Sequence, residues 1–73
     1  MSRNKYWVVP SGGNWDVKHE GTVLSSHYLK ETAVTEGTKV AKANQPSQLI
    51  IKRADGTIEK EYTYGDDPYP PVG

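Results

Sequence analysis

The strongest constraint on the fold lies in Lys52–Lys60, where Asp55-Gly56 interrupts two β-rich runs. An Asp-Gly pair between such runs is the strongest short-range signal of a β-hairpin, and it predicts a type I′ turn of two residues. Gly56 is then expected at positive φ, which a residue with a Cβ resists. The segment therefore predicts a second hairpin of the chain over residues 48–64.

The two-residue turn also predicts which side chains of this hairpin share a face. It places Lys52 opposite Glu59 as a cross-strand ion pair, and ladder positions two residues apart point to the same side. The predicted core face of this hairpin consists of Leu49, Ile51, Ile58 and Tyr62.

The first hairpin is predicted over residues 6–19, and its register is open. If Gly12-Gly13 forms a two-residue turn, Val8 lies opposite Val17, and Trp7 and Val9 lie on the other face. A three-residue turn through Asn14 shifts the register by one. Because that shift moves every side chain of a strand to the other face, Trp7 and Val9 would then join the core.

A helix is predicted over residues 29–44, because apolar and small residues recur there at helical spacing. Gly37 lies on this stripe, where the absence of a side chain lets a helix lie close to a sheet. Pro46 marks the end of the helix. Residues 20–27, which precede it, are interpreted as a polar connection in which Ser26 helps to cap the helix.

The predicted order is β-β-α-β-β, a single α+β domain over residues 1–73. We expect an antiparallel sheet of two hairpins with one helix packed on one face. Residues 65–73 are predicted to form an extended C-terminal tail, because three prolines in four residues prevent a helix or a central strand.

Composition narrows the classes of function. The chain has 73 residues and no cysteine, so no disulfide or thiolate metal site can stabilise it. It contains neither a transmembrane run nor the apolar stretch of a signal peptide, and the expected location is the cytoplasm. The net charge is zero, yet residues 1–53 hold eight basic against four acidic side chains and residues 54–73 one against five. Ordinary surface charge that mixes on folding is the favoured interpretation of this asymmetry.

Three segments of the chain resemble a known family. Tyr6-x-Val8-Val9-Pro10 with Trp15-x-Val17, the helix end Ala41-x-Ala43-Asn44-Gln45, and Asp55-Gly56 with Tyr64-Gly65-x-Asp67-Pro68-Tyr69-Pro70-Pro71-x-Gly73 look like short bacterial and phage proteins. These are grouped as domain of unknown function 2188. The resemblance covers nearly the whole chain. It implies no established activity, and it suggests a phage- or prophage-type accessory or inhibitor protein.

Catalytic and metal sites are not expected. His19 and His27 could combine with Asp66 and Asp67, but no two of them have metal-ligand spacing on one element. Ser25 and His27 are near neighbours in the chain, and such residues seldom meet as nucleophile and base. We therefore predict a non-catalytic protein with no metal and no cofactor.

Binding to another protein is the leading hypothesis, with an exposed aromatic face and the tail as candidates. In the two-residue register, Trp7 lies with Val9 and Ile50 on the face opposite the core, unless the helix covers that face. The tail, with Tyr69 and Pro70, either packs on the body or docks into a groove of a partner. A sheet edge also offers a second copy of the chain a place to pair. No membrane partner is expected.

The alternative hypothesis is nucleic-acid binding, with an aromatic ring stacked on a base. The neutral net charge counts against it. Clustering of the basic residues on one face would favour nucleic acid, whereas an apolar patch at Trp7 with scattered charge would favour a protein. The basic candidates are Arg3, Lys5, Lys18, Lys39, Lys42, Lys52 and Arg53.

Overall fold

The structure is a computed structural model that describes residues 3–65. These residues form one five-stranded sheet, in the order β3-β2-β1-β4-β5, with one helix against it. The elements are β1 (Asn4–Ser11), β2 (Asn14–His19), β3 (Thr22–His27), α1 (Lys30–Ala43), β4 (Ser47–Lys52) and β5 (Ile58–Tyr64).

The α+β class is confirmed, but the prediction of an antiparallel sheet of two hairpins is wrong. The sheet is mixed, because β1 pairs with β4 in parallel while the other neighbours are antiparallel. The cause is the additional strand β3. Strands β1, β2 and β3 alternate in direction, so β3 runs parallel to β1. Helix α1 carries the chain back along the sheet, and β4 therefore starts in the direction of β1.

Strand β3 occupies most of the segment predicted as a polar connection. Glu20 and Gly21 both have positive φ, +50° and +84°, and they join His19 to its partner Thr22. Two central residues at positive φ are the mark of a type I′ hairpin turn. The short segment thus turns back on β2 instead of leading directly into the helix.

The structure settles the open register of the first hairpin in favour of the two-residue turn. Gly12 and Gly13 have φ of +55° and +90°, which a type I′ turn requires. Val8 accordingly lies opposite Val17, and both side chains are fully buried.

The turn of the second hairpin has three residues, Ala54 to Gly56, instead of the predicted two. The Gly56 N–H donates to the Arg53 carbonyl at 2.9 Å, and the Arg53 N–H donates to the Thr57 carbonyl at 2.7 Å. Gly56 has a φ of +91°, as predicted. A turn followed by a glycine in the left-handed region is the usual form of a three-residue hairpin loop.

A β-bulge after Ile51 compensates for the longer turn, so Leu49 still lies opposite Tyr62. Beyond the bulge Lys52 lies opposite Ile58, so the predicted pairing of Lys52 with Glu59 is wrong. Ile58 is 46% exposed and does not join the core face.

Glu59 pairs instead with Lys30, at the beginning of α1. The hydrogen bond from Lys30 holds the pKa of Glu59 below its ordinary value. The Lys30 Nζ atom also lies 5.1 Å from the centroid of the Trp15 ring. Lys30 thus connects the start of the helix to both β2 and β5.

Helix α1 packs on the sheet through small residues, Ala33, Gly37 and Ala41, all of which are buried. A Cβ built at Gly37 would lie 3.1 Å from both Leu49 Cδ1 and Val8 Cγ2. The expectation that Gly37 permits close packing is thereby confirmed. The helix begins one residue later than predicted, and its N-cap is Leu29, whose apolar side chain cannot make a capping hydrogen bond.

The ends of the chain that lie outside the described residues bear on two predictions, one about the tail and one about membrane spans. The extended tail, with Tyr69 and Pro70, falls outside residues 3–65 apart from Gly65. Within the described part of the chain, α1 is too short and too polar to cross a bilayer.

Replacing Gly37 with valine should lower the free energy of unfolding by about 1–3 kcal/mol, the usual cost of overpacking a core. The new side chain would collide with Leu49 and Val8. Urea unfolding measures the effect. Lys39→Val, on the exposed side of the same helix, is the control and should cost only about 0.5 kcal/mol from helix propensity. Equal losses in the two variants would contradict close packing at Gly37.

Replacing Gly56 with valine should cost at least about 1 kcal/mol, because an L-residue is strained in the left-handed region. Nothing lies within 4 Å of a Cβ at this position, so the cost is one of backbone conformation alone. Thermal unfolding of Gly56→Val is compared with that of Ala54→Val in the same loop. An unchanged melting temperature for Gly56→Val would refute the strain.

Asp55 should stabilise the hairpin more when ionised. The side-chain hydroxyl of Thr57 donates to Asp55 Oδ1 at 2.7 Å and the Thr57 N–H at 3.0 Å. These bonds lower the pKa of Asp55 from its ordinary 3.8. A lowered folded-state pKa gives stability that is complete above the unfolded pKa and is lost as the pH falls through the folded pKa.

The measurement is the difference in free energy of unfolding between the native chain and Asp55→Asn across the acidic range. All other acidic groups are common to both proteins, so their titration cancels. The difference should be constant above the ordinary pKa and should shrink below it. A difference that does not change with pH would disprove the linkage.

Candidate binding surface on the open face of the sheet

Helix α1 covers one face of the sheet, and no other element of the described residues covers the opposite one. We call the side chains on this second face the open face. Their assignment follows from the strand registers, because residues directly opposite each other point to the same side. The open face includes Lys5, Trp7, Val9, Asp16, Lys18, Val23, Ser26, Gln48, Ile50, Lys52, Ile58, Glu61 and Thr63.

Trp7 lies at the middle of the open face, on the central strand β1. Its neighbours across the ladder are Lys18 on β2 and Ile50 on β4. Ile50 is only 3% exposed even though no helix covers it. The apolar centre of the open face is therefore compact, and Trp7 remains partly accessible.

A recess of 240 Å³ opens beside Trp7. The Lys52 Nζ atom lies 5.3 Å from the centroid of the Trp7 ring, close enough for a cation–π contact. An apolar group of a ligand can pack on the Trp7 ring, and an anionic group next to it can contact the ammonium groups of the two lysines. The lining residues are Trp7, Val9, Lys18, Gly21 and Lys52.

The open face presents more accessible positive than negative charge. Asp16 is 9% exposed, and it accepts a hydrogen bond from the Ser26 hydroxyl. Glu61 accepts one from Gln48 Nε2 at 3.1 Å. Both acidic side chains are thus engaged within the sheet, while three lysines, Lys5, Lys18 and Lys52, surround Trp7.

The structure brings together three of the predicted protein-binding residues. Trp7, Val9 and Ile50 share the open face, as the two-residue register requires. The other two candidates, Tyr69 and Pro70, lie outside the described residues. A role of any of them in binding stays a prediction.

The structure divides the predicted nucleic-acid-binding residues among several surfaces. Lys39 and Lys42 lie on α1, and the Lys42 Nζ atom is 5.7 Å from the Tyr64 ring centroid. Arg53 donates to the Ile58 carbonyl at 2.9 Å within the second hairpin. Arg3 donates to the Tyr64 carbonyl at 3.2 Å. Only the three lysines named above lie on the open face.

The histidines take part in local contacts. The His19 ring stacks on Tyr6 with 4.5 Å between centroids, and its Nδ1 donates to the Lys5 carbonyl at 3.0 Å. His27 Nε2 and Ser25 Oγ share a hydrogen bond of 2.9 Å. The expectation that this serine and histidine do not meet is therefore wrong.

One further expectation, the capping role of Ser26, is also wrong. Ser26 does not cap the helix, because its hydroxyl donates to Asp16 on the neighbouring strand. Among residues 3–65, no group of three His, Cys, Asp or Glu side chains is close enough to hold a metal ion.

Sequence reasoning missed two contributors to this surface because it missed β3. Gly21 lines the recess, and Val23 joins the open face opposite Lys18. The available signal was the Glu20-Gly21 pair, a two-residue turn between His19 and the β-rich Thr22-Val23-Leu24.

Comparison with known proteins gives one family. Residues 6–64 match the profile of the family described as "Uncharacterized protein conserved in bacteria (DUF2188)". The searches found no matching curated protein and no matching solved structure. The matched segment runs from Tyr6, within the central strand β1, to the end of β5, so it includes the helix, four complete strands and most of β1. The chain therefore belongs to the DUF2188 family of bacterial proteins.

Proposed function

We propose that this protein is a small non-catalytic module that binds another protein through the open face. The observation that carries the proposal is an apolar centre that no helix of the described residues covers: Trp7 and Val9 stay partly accessible beside the buried Ile50, with Lys18 and Lys52 on either side. Tryptophan is among the residues that contribute most to protein–protein affinity when a partner desolvates them.

The chemistry of the recess suggests which partner surface fits. An apolar side chain would enter beside Trp7, where it removes apolar area of both molecules from water. Carboxylates flanking that side chain would meet Lys18 and Lys52. Exposed charges at the border of an interface mainly steer association and fix orientation, so binding should weaken as salt is raised.

The Ser25–His27 pair gives no competing catalytic site on the open face. Ser25 lies opposite Val17 and His27 opposite Trp15, so both point to the helix side of the sheet by register. The carboxylate of Asp16 bonds to Ser26 and not to His27. Within residues 3–65 no carboxylate is hydrogen-bonded to the imidazole, so in this part of the chain the pair lacks the third group of a hydrolytic triad.

Nucleic-acid binding is the second candidate function, and one observation favours it. Lys5, Lys18 and Lys52 share the open face with Trp7, an arrangement in which a base stacks on the ring and phosphates meet the lysines. The zero net charge and the dispersal of the remaining basic residues weigh against it. A protein partner is therefore the better account.

The proposed setting is the cytoplasm. A phage- or prophage-type accessory or inhibitor role, which the family resemblance suggests, is consistent with a compact module that presents one binding face. In that setting the open face would bind a protein of the host cell. This part of the proposal rests on the resemblance, whereas the choice of face rests on the geometry of Trp7.

The test compares three immobilised proteins: the native chain, Lys18→Glu/Lys52→Glu, and the control Lys39→Glu/Lys60→Glu. Both double variants change the net charge equally, but the control residues lie on the helix and on the helix side of β5. Each protein is incubated with host lysate, with and without nuclease, and the retained proteins are quantified. Circular dichroism checks that all three are folded.

We expect the native chain and the control to retain the same protein from the lysate, and nuclease should not release it. The amount retained by the open-face variant should be lower by at least about tenfold, equivalent to 1.4 kcal/mol. Equal retention by all three chains would overturn the proposal. Release by nuclease, together with salt-sensitive binding of a labelled single-stranded oligonucleotide to the native chain, would establish the second candidate instead.

A further inference from the structure

The two edges of the sheet differ in how well they are protected from pairing. An edge strand carries unpaired N–H and C=O groups, and proteins commonly prevent further pairing by placing charges there. Edge strand β5 contains three consecutive charged residues, Glu59, Lys60 and Glu61. Edge strand β3 reads Thr-Val-Leu-Ser-Ser-His and contains no Lys, Arg, Asp, Glu or Pro.

Exposed apolar residues are concentrated at the unprotected edge. Val23 and Leu24 in β3 are 49% and 45% exposed, and Tyr28 and Leu29 directly after it are 80% and 54% exposed. Two pairs of exposed apolar side chains at one edge, separated by only three residues, are unusual for a surface that stays free. A contact there would satisfy the backbone groups of β3 and cover this apolar area together.

The β-bulges do not explain the difference between the edges. One bulge follows Val17 in the β2–β3 ladder and leaves Leu24 without a partner, and the other follows Ile51 in the β4–β5 ladder. Bulges can protect an edge by twisting it. Because both edges have one, the charges on β5 and their absence on β3 remain the distinguishing feature.

We propose that β3 pairs antiparallel with β3 of a second copy of this chain, which joins two sheets of five strands into one. A second copy is the occupant that the composition of β3 favours. Self-pairing of a strand without charged residues brings no like charges together, and each copy supplies the same apolar residues to the other. The proposal concerns the edge of the sheet, which shares Val23 with the open face, and it does not depend on the proposed function.

Antiparallel pairing fixes the arrangement of the dimer. The two-fold axis stands perpendicular to the sheet, so the two α1 helices lie on the same side and the two Trp7 residues on the other. A contact made by a six-residue strand is small compared with a standard protein interface, so the dimer should be weak and should form at high protein concentration.

Sedimentation equilibrium over a range from micromolar to millimolar protein tests the proposal. We expect a reversible monomer–dimer equilibrium for the native chain. Leu24→Lys should weaken dimerisation at least about tenfold, equivalent to 1.4 kcal/mol. The matched control is Ile58→Lys, which makes the same kind of change at a residue of 46% exposure on the other edge, and it should leave the dissociation constant unchanged.

A cross-linking experiment identifies the edge directly. The chain has no cysteine, so a single introduced thiol is unambiguous. Leu24→Cys lies near the expected two-fold axis and should form a disulfide-linked dimer under mild oxidation, whereas Tyr62→Cys on β5 should stay monomeric. A native chain that is monomeric throughout, equal effects of Leu24→Lys and Ile58→Lys, or equal cross-linking at the two edges would each overturn the proposal.

Discussion

The close approach of helix α1 to the centre of the sheet is the contact on which the rest of the structure depends. A Cβ at Gly37 would lie 3.1 Å from side-chain atoms of both Val8 and Leu49, so the helix backbone rests closely on these two side chains. Those two side chains are fully buried, and they belong to the adjacent parallel strands β1 and β4. A chain of this size has a small core, so a helix held further away would lose a large part of it. Small residues on the helix thus let its backbone approach the sheet closely, and this close contact takes the place of large side chains in the core.

The same central strand supplies the core and the candidate binding surface. Val8 faces the helix and Trp7 faces the opposite side, because successive residues of a strand alternate. One helix cannot cover both faces, and the open face has only Trp7 and its neighbours to keep Ile50 from water. The proposed binding residue is therefore held in place by the ladder that builds the core. A partner would meet a preformed surface, which reduces the conformational entropy lost on binding.

Local features were predictable from the sequence, and those set by the whole sheet were not. Gly37 meets a packing requirement and Gly56 a conformational one, and both can be recognised from the local sequence. The placement of Trp7 with Val9 and Ile50 followed once a turn length was chosen. The parallel pairing of β1 with β4 could not be foreseen because it depends on the number of strands before the helix. Missing β3 changed that number by one and reversed the expected direction. The bulge after Ile51 likewise has no clear local signal, so the partner of Glu59 was wrong.

The parallel pairing of β1 with β4 also governs how the chain can fold. The first strand of the sheet has its second neighbour some forty residues later in the sequence, so its ladder closes only after the helix has formed and crossed over. Contacts between distant segments cost loop-closure entropy before they stabilise the fold. A high contact order therefore slows folding. During synthesis β1, the central strand of the finished sheet, would be paired on one side only, by β2, until β4 has been made. The fold is thus completed from its C-terminal third, where β4 adds Leu49 and Ile51 to the core residues that β1 supplies, Tyr6 and Val8.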